Sequence, residues 1–199
     1  MEPNLRSMLT KNKFKEVKSP MHQSPDLSTS EGNKTGCIKC GGCTLCDNFL
    51  LEGETVTSPR TNQTFRIKTK LTCKTKNVIY IIFDKICKTV FYIGYTCDCM
   101  QVRWRNHKSH IKKCIKSCEL SKHFAEHCSS THKFNTTDPT IFTEELSKHL
   151  RVMIIESVES IPGIDMKPIM EARETYWQGA LKATKLFGGI NVRKNIVKK

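Results

Sequence analysis

A chain of 199 residues with 38% hydrophobic content and a mean hydropathy of −0.43 accommodates one domain of ordinary size with a modest core, plus a tail. No apolar run approaches the roughly 20 residues that a helical membrane span needs, and the N-terminal MEPNLRSMLTKNKFK has no apolar stretch of the secretory kind. The net charge is +14, and Arg60 to Lys116 carries +12 of it, fourteen Lys/Arg against Asp84 and Asp98, a concentration that points to a polyanion such as nucleic acid.

Residues 1–35 are rich in Ser, Thr, Asn, Lys and Pro without periodicity, and read as a disordered tail or a linker to another domain. Cysteines open the next segment. Gly36-Cys37-Ile38-Lys39-Cys40-Gly41-Gly42-Cys43-Thr44-Leu45-Cys46 repeats the C-x-x-C spacing that places two thiolates on one tetrahedral ion, with glycines to permit the turn. Four in immediate succession are crowded for one ion, so Cys73 enters the choice as a fifth candidate. Eleven cysteines in a chain with no secretory signal favour a reducing compartment and metal over disulfides. An iron–sulfur cluster is the second reading, although the C-x₃-C-P ending of the bacterial motif is missing. Phe65-Arg66-Ile67-Lys68 alternates apolar and basic residues, as a short strand would.

Val78 to Phe83 and Val90 to Ile93 are continuous apolar runs rich in β-branched and aromatic residues, joined by a short polar loop from Asp84 to Thr89; together they predict a hairpin. Gly94 is expected to end the second strand, and Asp98 to cap a helix from about Met100 to Lys113. Met100, Trp104, Ile111 and Ile115 fall in one sector of that helix, with Arg103, His107 and His110 along its edge. Two tyrosines, an arginine and a histidine therefore converge, a set suited to holding a phosphate diester and moving a proton. Farther on, His123 and His127 stand at i, i+4 on a predicted helix, suited to sharing a metal. Residues 129–148 read as a polar connection, and Val152 to Ile155 as a third strand. Asp165 with Pro168 opens a last long helix that Gly188-Gly189 is expected to end, which leaves Asn191 in the closing loop.

Val78-Ile79-Tyr80, then Tyr92-Ile93-Gly94, then Arg103-Trp104-Arg105-Asn106-His107 resemble a GIY-YIG endonuclease domain whose first motif is relaxed from Gly-Ile-Tyr to Val-Ile-Tyr. Glu171-Ala172-Arg173-Glu174-Thr175-Tyr176-Trp177 is similar to that family's helix with the metal-binding glutamate, and Asn191 matches an asparagine that often follows it. The resemblance spans about Cys37 to Asn195. The upstream cysteines and Asn77-Val78-Ile79-Tyr80 narrow it to the endonuclease end of Penelope-like retroelements.

The resemblance implies an α+β fold, a three-stranded antiparallel sheet flanked by helices, with the nuclease domain at 77–195 behind a zinc-binding segment at 36–76. It implies Tyr80, Tyr92, Arg103, His107, Glu174 and Asn191 as the catalytic set, with Glu174 holding Mg²⁺ or Mn²⁺. Tyr80 is the general-base candidate, and a phenol of ordinary pKa near 10 must be made more acidic to serve. A cysteine placed like Cys73 in Penelope-type sequences favours Cys40, Cys43, Cys46 and Cys73 for structural Zn²⁺, with Cys37 as alternate ligand. A second zinc site is expected from Cys87, His123 and His127, with Asp84 where a cysteine would stand. Arg105, Lys108, His110 and Lys112 are expected on the DNA. The implied setting is the nucleus, away from membranes, with the chain either part of a longer parent protein that carries a reverse transcriptase domain or a free-standing descendant of one. The competing expectation is a catalytically silent, zinc-containing nucleic-acid-binding module.

Overall fold

The computed structural model describes residues 34–85, 91–116, 118–128, 136–187 and 189–191, without the side chains of residues 127 and 128. The expected tail to residue 33, the candidate ligand Cys87 and the side chain of His127 therefore lie outside the described residues.

Short elements come first: β1 (Gly36–Cys37), α1 (Thr44–Asn48), β2 (Thr55–Thr57), β3 (Thr64–Arg66) and β4 (Lys70–Leu71). β1 runs parallel to β4, and β2 forms a hairpin with β3. The main sheet follows, from β5 (Val78–Asp84), β6 (Phe91–Thr96) and β7 (Leu150–Ser157), antiparallel throughout in the order β6-β5-β7. β5 lies centrally because nearly all its residues are apolar and buried on both faces. A bulge between Ile79 and Tyr80 shifts their partners on β7 from Glu156 to Ile154. The cysteine-rich segment does not stand apart from this sheet. Leu51 N donates to Val152 O at 2.7 Å and Val152 N to Phe49 O at 2.9 Å, so residues 49–51 extend the β7 edge.

Among the described residues the sheet is flanked by α1, α2 (Met100–Lys112), α3 (Glu119–His123) continuing into a π-helical turn (Phe124–Cys128), α4 (Pro139–His149) and α5 (Met166–Ala180). α5 packs on β6 and β5, α2 on α3, and α4 on β7 and α1. None of the described helices is long and apolar enough to cross a membrane.

Several boundaries differ from those predicted. β6 continues through Gly94 to Thr96. Cys99, not Asp98, is the extended residue ahead of α2, and no side-chain hydrogen bond caps the helix. Ile115 lies beyond the end of α2, and His107, expected at an edge, is buried with Met100, Trp104 and Ile111. The supposed polar connection contains α4, which Asp138 caps by accepting from Thr140 N at 2.7 Å, with Pro139 at the first helical position and Phe142 and Leu146 buried one turn apart. Asp165 caps α5 as expected, accepting from Lys167 N at 3.0 Å. That helix nevertheless stops at Ala180, where Lys182 turns to φ +57°, well before Gly189.

Candidate active site

Tyr80 rises from the middle of β5, fully buried, directly opposite Gly94 on β6. A Cβ at position 94 would stand 2.5 Å from Tyr80 Oη and 2.8 Å from the Tyr92 ring. Glycine is thus required there because the two phenols occupy the space a side chain would fill. The Tyr80 and Tyr92 rings are 6.3 Å apart, and the His107 ring from α2 lies 5.8 and 5.9 Å from them.

Arg103 Nε donates to Tyr80 Oη at 2.9 Å, and Tyr80 Oη is 2.8 Å from His107 Nε2. Burial pushes His107 well below its usual pKa, and the charges of Arg103 and His110 push the same way, so the ring is neutral. A guanidinium can only donate. A neutral ring with its proton on Nδ1 accepts at Nε2 from the Tyr80 hydroxyl while that hydroxyl accepts from Arg103. Burial raises Tyr80 to about 12 despite the opposing pull of Arg103, and the charge of Glu174 adds to the rise. Tyr92 is likewise well above its usual value, chiefly through burial. Arg103 is held firmly cationic, its desolvation outweighed by both phenols.

Glu174 projects from the buried side of α5, close enough for its charge to act on Tyr80, Tyr92 and Tyr95. Its neighbour one turn earlier, Glu171, accepts from Tyr95 Oη at 3.3 Å. The chain between residues 76 and 186 matches the GIY-YIG catalytic domain, more than half of its length. The chain belongs to the GIY-YIG family. Members of that family are endonucleases, and nuclease activity is what this domain carries. Comparison with curated proteins and with solved structures finds no match.

Asn191 reaches the GIY-YIG site indirectly. Its Oδ1 accepts from Ile93 N at 2.8 Å and its Nδ2 donates to Ile93 O at 2.7 Å. One side-chain amide thus acts as a further strand on the open edge of β6, between Tyr92 and Gly94. Both groups of the amide thus engage the Ile93 backbone, a contact that the expected catalytic role of Asn191 did not include. Sequence reading placed it in a loop and had no signal for this pairing.

Of the residues expected on nucleic acid, Arg105 and Lys112 are exposed, and Lys108 and His110 are half-buried. Arg105 and Lys108 line a cleft between α2 and the cysteine segment, and Lys108 is shifted down by burial and then by Arg105. Lys112 leans toward α4, with Nζ 3.5 Å from Thr137 O and 5.6 Å from the centre of the Phe142 ring.

The cysteines resolve into one set. The Sγ atoms of Cys40, Cys43, Cys46 and Cys73 all lie within 4.8 Å of one another, with Cys40–Cys73 at 3.1 Å, Cys40–Cys43 at 3.5 Å and Cys43–Cys73 at 3.6 Å. Four sulfurs about 2.3 Å from a tetrahedral Zn²⁺ stand roughly 3.8 Å from each other, so the donor set fits zinc. Gly41 and Gly42, both with positive φ, make the turn between the first two ligands. Cys37, the expected alternate, lies outside this group: it sits in β1, where its Sγ accepts from Ile154 N at 3.4 Å. Cys73 also ties this cluster to the catalytic helix, because its carbonyl accepts from Gln101 N at 3.1 Å. At the second expected zinc site the structure joins Asp84 and His123, both buried, with Oδ2 and Nε2 3.1 Å apart.

Proposed function

We propose that the chain is a divalent-metal-dependent DNA endonuclease that nicks target DNA for the integration of a Penelope-like retroelement. The observation that carries the reading is the shared hydroxyl of Tyr80, 2.9 Å from Arg103 Nε and 2.8 Å from His107 Nε2. Cleaving a phosphodiester needs an activated water, relief of the charge on the pentavalent transition state and help for the leaving oxygen. Arg103 presents its remaining N–H donors to the scissile phosphate. Tyr80 takes a proton from the attacking water as its own proton passes to His107 Nε2, so the high intrinsic pKa of the phenol is offset by a base already in contact. Tyr92 confines the water and phosphate from the neighbouring strand. The negative charge of the bound diester compensates the imidazolium that burial disfavours in the free protein.

Glu174, a buried carboxylate beside three phenols, offers the oxygen donors that Mg²⁺ or Mn²⁺ prefers. An ion held there would supply Lewis-acid relief of the charge that develops on the phosphate. The four-thiol cluster would hold structural zinc. Its presence upstream of Val78-Ile79-Tyr80 supports the Penelope-like assignment, and with it a nuclear setting and a reverse transcriptase domain in a longer parent chain. Within that reading, 36–76 is the zinc segment and 77–195 the nuclease.

The test is nicking of supercoiled plasmid with Mg²⁺ or Mn²⁺ by the native chain, Glu174→Gln and Arg103→Ala. Nicking by the native chain alone, with DNA binding retained at low salt in both variants, supports the enzyme. A zinc-replete native chain that binds DNA but never cuts it would instead be the silent binding module.

A further inference from the structure

Strand β3 and its exit, the outer end of β7 and one face of α5 enclose a second pocket of about 530 Å³. That volume lies in the range of about 300–1,000 Å³ typical of small-ligand sites. Its aromatic wall is Phe65, Tyr176 and Trp177, with the Phe65 and Trp177 rings 5.4 Å apart and edge-on. Its rim carries Arg66, Lys68 and Arg173. Glu156, the acid in the wall, is engaged within the protein. It accepts from Arg173 Nε at 2.9 Å and NH2 at 2.6 Å, and from Trp177 Nε1 at 2.7 Å. No acid among the described residues pairs with Arg66 or Lys68.

Tyr176 is the informative residue. The Arg173 guanidinium sits 4.7 Å from its ring centre and is itself fixed by Glu156, so one side of the ring is braced. The ring is still 51% exposed. An exposed, braced aromatic at the mouth of an aromatic pocket with a cationic rim matches an unpaired nucleotide. The flat base stacks on the rings and the phosphate meets Arg66 and Lys68. Phosphate alone has no use for three rings, and an apolar ligand has no use for the rim. A paired duplex hides its base faces in the stack.

We propose that this pocket receives one unpaired nucleobase of the DNA strand being cut, an inference that rests on the nuclease reading above. Arg173 directly precedes Glu174 and Trp177 follows it by three residues, so the pocket begins within one turn of the carboxylate, while Tyr176 stands about 200° round α5 from Glu174 at the pocket's far side. A strand crossing the cleavage site can place a base there once it leaves the duplex.

The experiment measures fluorescence anisotropy of a short labelled single strand and of the blunt duplex of the same sequence, using the zinc-replete Glu174→Gln chain without added Mg²⁺. Adding Tyr176→Ala is expected to weaken the single strand by about 5- to 100-fold, the worth of one stacked base, and to leave the duplex unchanged. Tyr176→Phe is expected to restore binding, and Arg66→Ala to lower the salt slope for the single strand by about one. Unchanged single-strand affinity in Tyr176→Ala, or equal losses on both DNAs, overturns the proposal. So does a doubling of mass on concentration that Tyr176→Ala abolishes, which would make the face a contact between copies. Plasmid nicking by the native chain, run in parallel, separates the two readings. Nicking with Tyr176-independent single-strand binding removes the pocket alone, whereas Tyr176-dependent binding without nicking removes the nuclease and with it the link to a cut strand.

Discussion

Tyr80 Oη and His107 Nε2 lie 2.8 Å apart, both buried, and the hydroxyl donates when the imidazole proton is on Nδ1. The histidine is neutral because burial and the charge of Arg103 hold its pKa well below the usual value. In the unfolded chain it binds a proton near pH 6.5. The unfolded state therefore takes up one more proton than the folded state as pH falls below about 6.5, and stability falls with it. The contribution of His107 is present above that pH and lost beneath it. The expected slope is about 1 kcal/mol per pH unit, read from urea midpoints between pH 7.5 and 5.5. His107→Gln should flatten this part of the profile and slow nicking, while a slope unchanged by the substitution would mean that His107 is charged in the fold.

Gly94→Ala tests the crowding of the two phenols. The added carbon would fall 2.5 Å from Tyr80 Oη, so a ring or a strand must move. Overpacking of this kind costs about 1–3 kcal/mol. Displacing Tyr80 from its partners by even about 1 Å should cost about 100-fold in single-turnover nicking. A variant with native melting temperature and native rate would show that the phenols have room.

Zinc content separates ligand from neighbour among the cysteines. Cys73→Ser should abolish retention of one zinc per chain, and nicking should fall with it, because the Cys73 carbonyl holds Gln101 at the start of α2. Cys37→Ser should keep the zinc, since its sulfur contacts Ile154 N and not the cluster. Atomic absorption of the purified chains reads both. Equal loss in the two variants would reinstate Cys37 as a ligand.

Asn191→Ala removes both partners of the Ile93 backbone. At about 1 kcal/mol for each hydrogen bond, the expected destabilisation is about 2 kcal/mol. A residue acting through β6 should lower kcat with little change in KM, and Asn191→Asp should not rescue it, since a carboxylate cannot donate to Ile93 O. Recovery of activity in the Asp variant would place the side chain on the substrate instead.

Much of this was legible in the sequence where local chemistry and spacing agree. The apolar run Val78 to Phe83 read as a strand, and the C-x-x-C spacing from Cys40 to Cys46, with Cys73 added by the family resemblance, named the four thiols the structure brings together. Other features depend on what packs against them. The burial of His107 depends on Tyr80 rising from the sheet beneath α2, which helical periodicity cannot register. Gly94 read as a strand end because glycine usually interrupts strands, whereas here a phenol from the next strand claims its volume. α4 was missed although Asp138-Pro139 announced its start, because its polar residues masked the Phe142–Leu146 spacing. β2 and β3 are three residues each, too short for alternation to declare both.

The stitch from Asn191 to Ile93 joins residues ninety-eight positions apart. A chain emerging from the ribosome would display both tyrosines, Arg103, His107 and even Glu174 before the amide that secures the edge beneath them had been made. The edge would thus stay open until Asn191 emerges, and a nascent chain that has reached only α5 would possess these side chains without the brace that sets their spacing.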